Sequence, residues 1–412
     1  MHGDQSPGRT RPTRRQLLFG GAVAGFGAAA AIGADQALRL AAPVASQDDS
    51  ASVPLPGDDT VPFYGQHQAG IATPPQAHAT LVALDLRDGT DRDALRRLMQ
   101  LLTDDAARLA RGEPALADSE PELAHVPANL TVTFGFGPEL VRRASTSSTQ
   151  APAWLRPLPA FGIDRLEDAW NDGDLLLQVA ADDPFTVAHA LRMLLKDTRS
   201  FATVRWTQPG FRRARGSEAS GTTMRNLFGQ VDGTVNPAPP TVDFEQLVWI
   251  TEGAFAGGTG MVVRRISMDL DKWDRLDRSG REQSVGRTLA NGAPLTGTQE
   301  HDEPDFTAKN AAGFPVIAEF SHLRRARSEN TAERFFRRGY NYDDAPSGEQ
   351  ISNSGLLFIS FQADVDAQFV PVQRRLDELD LLNEWTTPIG SAVFAIPPGC
   401  AEGGYIGEGI LA

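Results

Sequence analysis

The sequence predicts an α+β protein built by internal duplication, and three observations carry that prediction. The first is a repeat. Gly173-Asp174-Leu175-Leu176-Leu177-Gln178-Val179, followed by Ala181-Asp182-Asp183-Pro184 and a helical stretch through Lys196, is matched by Gly355-Leu356-Leu357-Phe358-Ile359-Ser360-Phe361, followed by Ala363-Asp364-Val365-Asp366 and a helical stretch through Leu376. Each copy reads as a short apolar strand, an Asp-marked turn and an amphipathic helix of about fifteen residues. The copies lie about 180 positions apart, close to half of the chain left after its amino-terminal leader, which suggests duplication. The second observation is a set of further short runs rich in apolar or β-branched residues, Ala79–Leu86, Leu130–Phe136 and Leu247–Thr251, which read as strands. The third is size: 412 residues with 41% hydrophobic content supply ample core for two domains or one large duplicated domain.

Taken in order, the chain begins with an address. Thr13-Arg14-Arg15-Gln16-Leu17-Leu18-Phe19 sets two adjacent arginines ahead of an apolar run from Leu17 to about Ala34, the pattern of a twin-arginine signal. Gly and Ala dominate that run, so it is too weakly hydrophobic for a permanent spanning helix and reads as a removed leader, cut between residues 41 and 50. This gives a signal over 1–45, a flexible Asp/Ser/Pro-rich lead-in over 46–61, an amino-terminal half over 62–223 and a carboxy-terminal half over 224–412. Arg212–Thr223 is a polar Gly/Ser-bearing connection between the halves, and Pro237–Thr241 reads as a surface loop. Leu276–Pro304, polar and Gly-rich, is expected to pack irregularly. The expected destination is extracellular or periplasmic.

Composition excludes several classes. A net charge of −14 and a pI near 5.0 disfavour nucleic acid and anionic membrane as partners. Cys400 is the sole cysteine, so no intramolecular disulfide and no cysteine-based zinc or iron–sulfur site can form, and no lipoprotein anchor follows the leader. The oligomeric state is open, and a homo-oligomer is compatible with the sequence.

Chemistry concentrates in three segments of the second half: Gly229-Gln230-Val231-Asp232-Gly233-Thr234-Val235-Asn236-Pro237, Ser321-His322-Leu323-Arg324, and Phe336-Arg337-Arg338-Gly339-Tyr340. Singly, each has an ordinary explanation: an Asp-Gly turn, a structural histidine, a solvated basic stretch. Jointly, a metal ligand, a carboxylate and a fixed cation are what a peroxidase needs. Their order and spacing resemble the dye-decolourising (DyP-type) haem peroxidases, in which G-x-x-D-G precedes the iron-binding His by about ninety residues and an Arg-Arg-Gly-Tyr run follows. The resemblance covers nearly the whole chain after the leader. It implies two ferredoxin-like modules, each with an antiparallel sheet covered by helices, with haem b (iron protoporphyrin IX) bound mainly by the carboxy-terminal half. It makes His322 the iron ligand, Asp232 the proton carrier and Arg337 the distal cation, with Arg338 the alternative by one position. Gly233, Thr234 and Val235 become haem contacts. The implied reactants are hydrogen peroxide and a bulky organic one-electron donor.

Two further stretches, Phe63-Tyr64-Gly65-Gln66-His67-Gln68-Ala69-Gly70-Ile71-Ala72-Thr73-Pro74 and Ser352-Asn353-Ser354-Gly355-Leu356-Leu357-Phe358, are similar to twin-arginine-exported members linked to iron uptake. That subgroup brings a second reading, a deferrochelatase that releases iron from haem, with membrane components of iron uptake as partners. Twin-arginine export suits either reading, since that route carries folded proteins and a haem inserted before export must travel inside one. After His322-Leu323-Arg324 the chain departs from the Ala-Asn-Pro-Arg of relatives, reading Arg325-Ala326-Arg327-Ser328-Glu329, and no haem contact is assigned to 327–329. His67 is the rival iron ligand. His301, beside Asp302 and Glu303, reads as part of a solvated acidic loop rather than a metal site, and Arg287 is either a propionate contact or a surface arginine.

Overall fold

The computed structural model describes residues 55–144, 151–346, 348 and 351–412. The twin-arginine leader lies outside them. Among the described residues no helix is long and apolar enough to cross a membrane.

Alternating apolar positions produce nine strands: β1 (His78–Leu86), β2 (Thr131–Phe136), β3 (Leu175–Ala181), β4 (Ala202–Phe211), β5 (Thr259–Met268), β6 (Phe336–Arg337), β7 (Tyr340–Asp344), β8 (Asn353–Gln362) and β9 (Thr386–Ile396). In the first half the order across the sheet is β4-β1-β3-β2, and in the second β7-β8-β5-β9, all antiparallel. β6 and β7 run along the same edge of β8, β6 opposite Ser360 and Phe361 and β7 opposite Asn353–Leu357. Both repeat strands, β3 and β8, sit inside their half-sheets, as their apolar runs suggested.

The expectation of separate sheets, each covered by helices, is corrected here. The half-sheets join edge to edge through Phe136↔Ala395 and Phe211↔Asn341, and the nine strands close into one barrel. Side chains on alternate strand positions therefore enter two different cores. Leu81, Ala83, Leu176, Met261, Val263, Leu357, Ile359 and Phe394 meet inside the barrel, where the short helix Val242–Val248 adds Phe244, Leu247 and Val248. Val82, Leu84, Leu177, Val262 and Val393 face outward, under the helices.

Helix Arg92–Ala110 is started by Asp91, whose carboxylate accepts from Ala94 N at 2.9 Å, and it buries Leu95, Leu98, Met99, Leu102, Ala106 and Leu109 on one face. Helix Pro184–Thr198 carries Pro at its first position behind the Asp183 cap and buries Val187, Ala190, Met193 and Leu194. Its counterpart in the second half is a π-type turn, Val365–Phe369, continued by helix Val370–Leu379. Two sequence expectations change. Leu247–Thr251 is not a strand: helix Val242–Val248, capped by Thr241 Oγ1 on Phe244 N, occupies its first half. Within the polar stretch 276–304, Asp277 caps a helix over Arg278–Val285 that Gly286 ends at φ 85°, a left-handed conformation suited to glycine.

A pair of carboxyls lies under this helical layer. Asp105 is buried and accepts from Leu116 N at 2.7 Å. Burial, and then the charge of Asp105, push the Asp197 carboxyl up to about 7. A carboxyl raised in the folded state stabilises the fold below its ordinary value near pH 4, and that contribution is lost as the pH climbs through about 7. Asp197→Asn is therefore expected to raise the thermal midpoint several degrees more at pH 8 than at pH 5. Equal shifts at the two pH values in melting curves would show that the pair carries no such penalty.

Candidate active site

The three segments singled out in the sequence form two walls of one cleft. The first wall is the loop around Asp232. Asn226 N donates to Gln230 O and Gly229 N to Asn226 O, with Gly229 at φ 79°, so the chain turns back tightly before Asp232. Gly233 follows at φ 132°, again outside the range of ordinary L-residues. Thr234 Oγ1 donates to Glu300 Oε1 at 3.0 Å, and Thr223 Oγ1 reaches the same oxygen at 2.6 Å. Val235 is half exposed beside them.

β6 delivers the cation. Phe336 points into the barrel and Arg337 outward, where its Nη1 donates to Asp232 Oδ1 at 2.7 Å. Asn236 ties the loop to this strand: its Nδ2 donates to Arg337 O at 2.7 Å and its Oδ1 accepts from Arg337 N at 3.0 Å. Arg338 follows on the opposite face. Its guanidinium is buried and donates to the carbonyls of Ile71, Thr73 and Pro74 and to Gln76 Oε1. The adjacent arginines therefore do different work, and only Arg337 meets Asp232.

The second wall carries His322, the first residue of the short helix His322–Ala326. Its Nδ1 lies 2.6 Å from Asp380 Oδ2, and Asp380 is itself buried at the junction between helix Val370–Leu379 and the next turn, where Oδ1 accepts from Leu382 N. Burial works against a charged imidazole, but the carboxylate of Asp380, by its charge and its hydrogen bond, overcomes this and the His322 pKa is raised. Arg337 and Asp232 lie close enough for their charges to act on that ring as well. The His322 side chain is one-third exposed, and among the described residues its Nε2 carries no hydrogen bond.

This donor set fits an iron porphyrin. One imidazole nitrogen would be free to hold the iron while a carboxylate fixes the other. Arg287 is buried rather than on the surface, its Nη1 donating to Gly292 O and Glu300 O. Burial lowers its pKa, the neighbouring Glu300 carboxylate works against this, and the charges of Arg327 and Arg337 lower it further. The rival ligand lies elsewhere: His67 stacks on Trp249 with ring centroids 3.7 Å apart and binds Gly257 O through Nδ1. His301 is exposed, 3.9 Å from Glu300, and among the described residues no cluster of three or more His, Cys, Asp or Glu could hold a metal ion. Cys400 is half-buried, and burial, then Glu408, push its thiol up to about 11. Sequence reasoning missed Asp380, Asn226, Asn236 and Glu300, none of which lies at a position with a motif of its own.

Comparison with known proteins decides the family. The family model "Dyp-type peroxidase, N-terminal" matches residues 68–212, and "Dyp-type peroxidase, C-terminal" matches residues 223–401. The chain belongs to the Dyp-type peroxidase family. It is 36% identical to a dye-decolorizing peroxidase of Thermobifida fusca over 98% of both chains. It is also 36% identical, over 100% of both chains, to a deferrochelatase of Escherichia coli O6:K15:H31. A crystal structure of a DyP-type peroxidase from Cellulomonas bogoriensis superposes with a TM-score of 0.84 at 57% identity, covering 87% of this chain and 99% of that one. Mixed helices and antiparallel strands are thus the architecture of this Dyp-type peroxidase, and it is an oxidoreductase acting with hydrogen peroxide and a reductant.

The two arginines of this Dyp-type peroxidase are separable by stability. Arg338→Met strands four acceptors, two of them fully buried, and is expected to cost roughly 3 kcal/mol or more, whereas Arg337→Leu, on a partly exposed pair, should stay within about 1 kcal/mol. Urea unfolding of both variants checks this, and equal losses would refute the assignment of opposite faces.

Proposed function

We propose that the chain is a haem peroxidase that reduces hydrogen peroxide and oxidises bulky one-electron donors such as dyes or phenols. The observation that carries this reading is the 2.7 Å contact between Asp232 and Arg337, a pair whose charges reach the His322 ring. Bound haem would supply the redox chemistry, passing two electrons to peroxide and recovering them singly from the reductant. His322 Nε2 would hold the iron, its ring fixed by Asp380. Asp232 Oδ2, the oxygen not taken by Arg337, would accept the proton of the near peroxide oxygen and return it to the far one, which leaves as water. Arg337 would set a permanent positive charge beside the oxygen that gathers negative charge as the O–O bond breaks. Gly233 would let backbone approach the porphyrin, with Thr234 and Val235 beside it, and Arg287 would meet a propionate.

A second reading, release of iron from haem, is favoured by one observation: the Escherichia coli relative named deferrochelatase matches over the full chain at the same 36% identity as the Thermobifida fusca peroxidase. Iron-uptake components of a membrane would be the partners in that case. Retention of both Asp232 and Arg337 favours turnover, because holding haem needs only the ligand. The strand orders β4-β1-β3-β2 and β7-β8-β5-β9 support the duplicated ferredoxin-like origin of the two halves. The pair Arg14-Arg15 before a Gly/Ala-rich apolar run supports export by the twin-arginine route to an extracellular or periplasmic site.

Rapid mixing with peroxide tests the mechanism. Asp232→Asn is expected to slow the first spectral change by about 10² to 10⁴ and to alter its pH dependence, while Arg337→Leu, which removes a charge present at every working pH, should lower the rate evenly across pH. His322→Ala should lose the normal haem spectrum. If the two distal variants react as fast as the parent throughout, the peroxidase reading fails and iron release takes its place. Arg14→Lys combined with Arg15→Lys is expected to keep the precursor in the cytoplasm, and mature protein outside the cell from that double variant would refute the export route.

A further inference from the structure

The carboxylate of Asp232 is held at both oxygens. Arg337 takes Oδ1, and Oδ2 lies 3.3 Å from Asn226 Nδ2. Asn226 stands at the entry to the loop, and its Oδ1 accepts two backbone N–H groups, Phe228 at 3.1 Å and Gln230 at 3.2 Å. An amide edge that meets two donors must present its oxygen to them. The NH₂ edge of Asn226 is therefore forced toward Asp232. The residue is also anchored through its backbone, since its N–H donates to Gln230 O at 3.0 Å and its carbonyl accepts from Gly229 N at 2.9 Å. Next to it, the Arg225 guanidinium fastens the loop to the carbonyls of Gly229, Leu289 and Ala290.

We infer that Asn226 is a positioning residue of the distal site: it presents a fixed neutral donor to Asp232 Oδ2 and aims the carboxylate. This rests on the reading of Asp232 as proton carrier. A hydrogen bond donated to a carboxylate favours the charged form, so removing the donor lets a proton bind at higher pH. Arg337 on β6, Arg212 just past the end of β4 and His322 on the opposite wall are the charged or titratable groups that act on Asp232 from the surrounding elements. Glu300 reaches the loop two residues further on, through Thr234. None of these contacts runs through Asn226, so changing it alters the neutral donor alone.

The test is an isosteric exchange. Asn226→Asp keeps both acceptor bonds to Phe228 N and Gln230 N and replaces the donor facing Asp232 with a negative oxygen. A purely structural residue would tolerate it silently. Two readouts are taken on the haem-loaded protein across pH: the equilibrium affinity of the ferric haem for fluoride, and the rate of the first peroxide-dependent spectral change. Both midpoints are expected to move up by about one pH unit, a tenfold change in proton affinity. Asn226→Ser, which can accept from the loop but cannot reach Asp232, should move them up by about half as much, and it decides the question if the aspartate variant does not accumulate. Asp232→Asn is the reference and should abolish the transition. Should Asp232→Asn leave the parental profiles intact, the proton-carrier reading itself falls. Should it abolish the transition while the Asn226 variants keep the parental midpoint, the inference about Asn226 is overturned and the peroxidase reading stands.

Discussion

The register of the strand that carries Arg337 is set by its neighbour. Residues 336–340 alternate between the two faces of the barrel wall, and slipping the strand by one residue would exchange Arg337 for Arg338. Arg338 prevents this. Its guanidinium is buried, among the described residues it has no carboxylate partner, and its two terminal nitrogens donate to three carbonyls and one amide oxygen between Ile71 and Gln76. Burial pulls its pKa down, yet an arginine stays charged, so the charge must stay where those acceptors are. The position of Arg337, and through Asn236 that of the Asp232 loop, follows from that anchor.

The proximal side is organised on a different principle. Helix His322–Ala326 has five residues and could not position a side chain alone. It is held from outside: Arg325 donates to Arg375 O and pairs with Glu378, while Leu381 N donates to Phe320 O. Asp380 closes the arrangement, spending one oxygen on the turn and the other on His322. The imidazole is thereby oriented by helix Val370–Leu379, which is the helix of the second repeat copy. The second copy of the sequence repeat thus supplies β8 beneath the distal strand and the carboxylate behind the ligand.

Much of this was legible in the sequence, for a definable reason. β1, β2, β3 and β8 are buried on both faces and read as apolar runs. β4, β5 and β9 did not. β4 alternates with exposed polar residues and contains Pro209, β9 contains Pro388, and β5 carries Arg264 and Arg265 in its interior. Those two arginines are buried only because Asp164 pairs with one, while Gln208, Asp344 and the rings of Trp170 and Tyr342 receive the other. Such partners are distant in sequence. The run Leu-Val-Trp-Ile at 247–250 misled because the buried end of helix Val242–Val248 passes directly into buried Trp249, and so short an apolar run does not separate a helix end from a strand. Barrel closure left no trace either, since each seam rests on a single residue pair. Among site residues, motif order pointed to Asp232, His322 and Arg337. Asp380 lies 58 positions from its partner, and an asparagine ahead of a turn carries no chemical signature.

The acceptors that seat Arg338 belong to the first half of the chain, more than 260 residues upstream. The amino-terminal half thus sets the seat of the strand that carries the distal cation. Within the second half, Asn236 and the pairing with β8 hold the same strand from its other sides. A change at residues 71–76 would therefore reach the cation through Arg338 while leaving His322 and its Asp380 partner as they are.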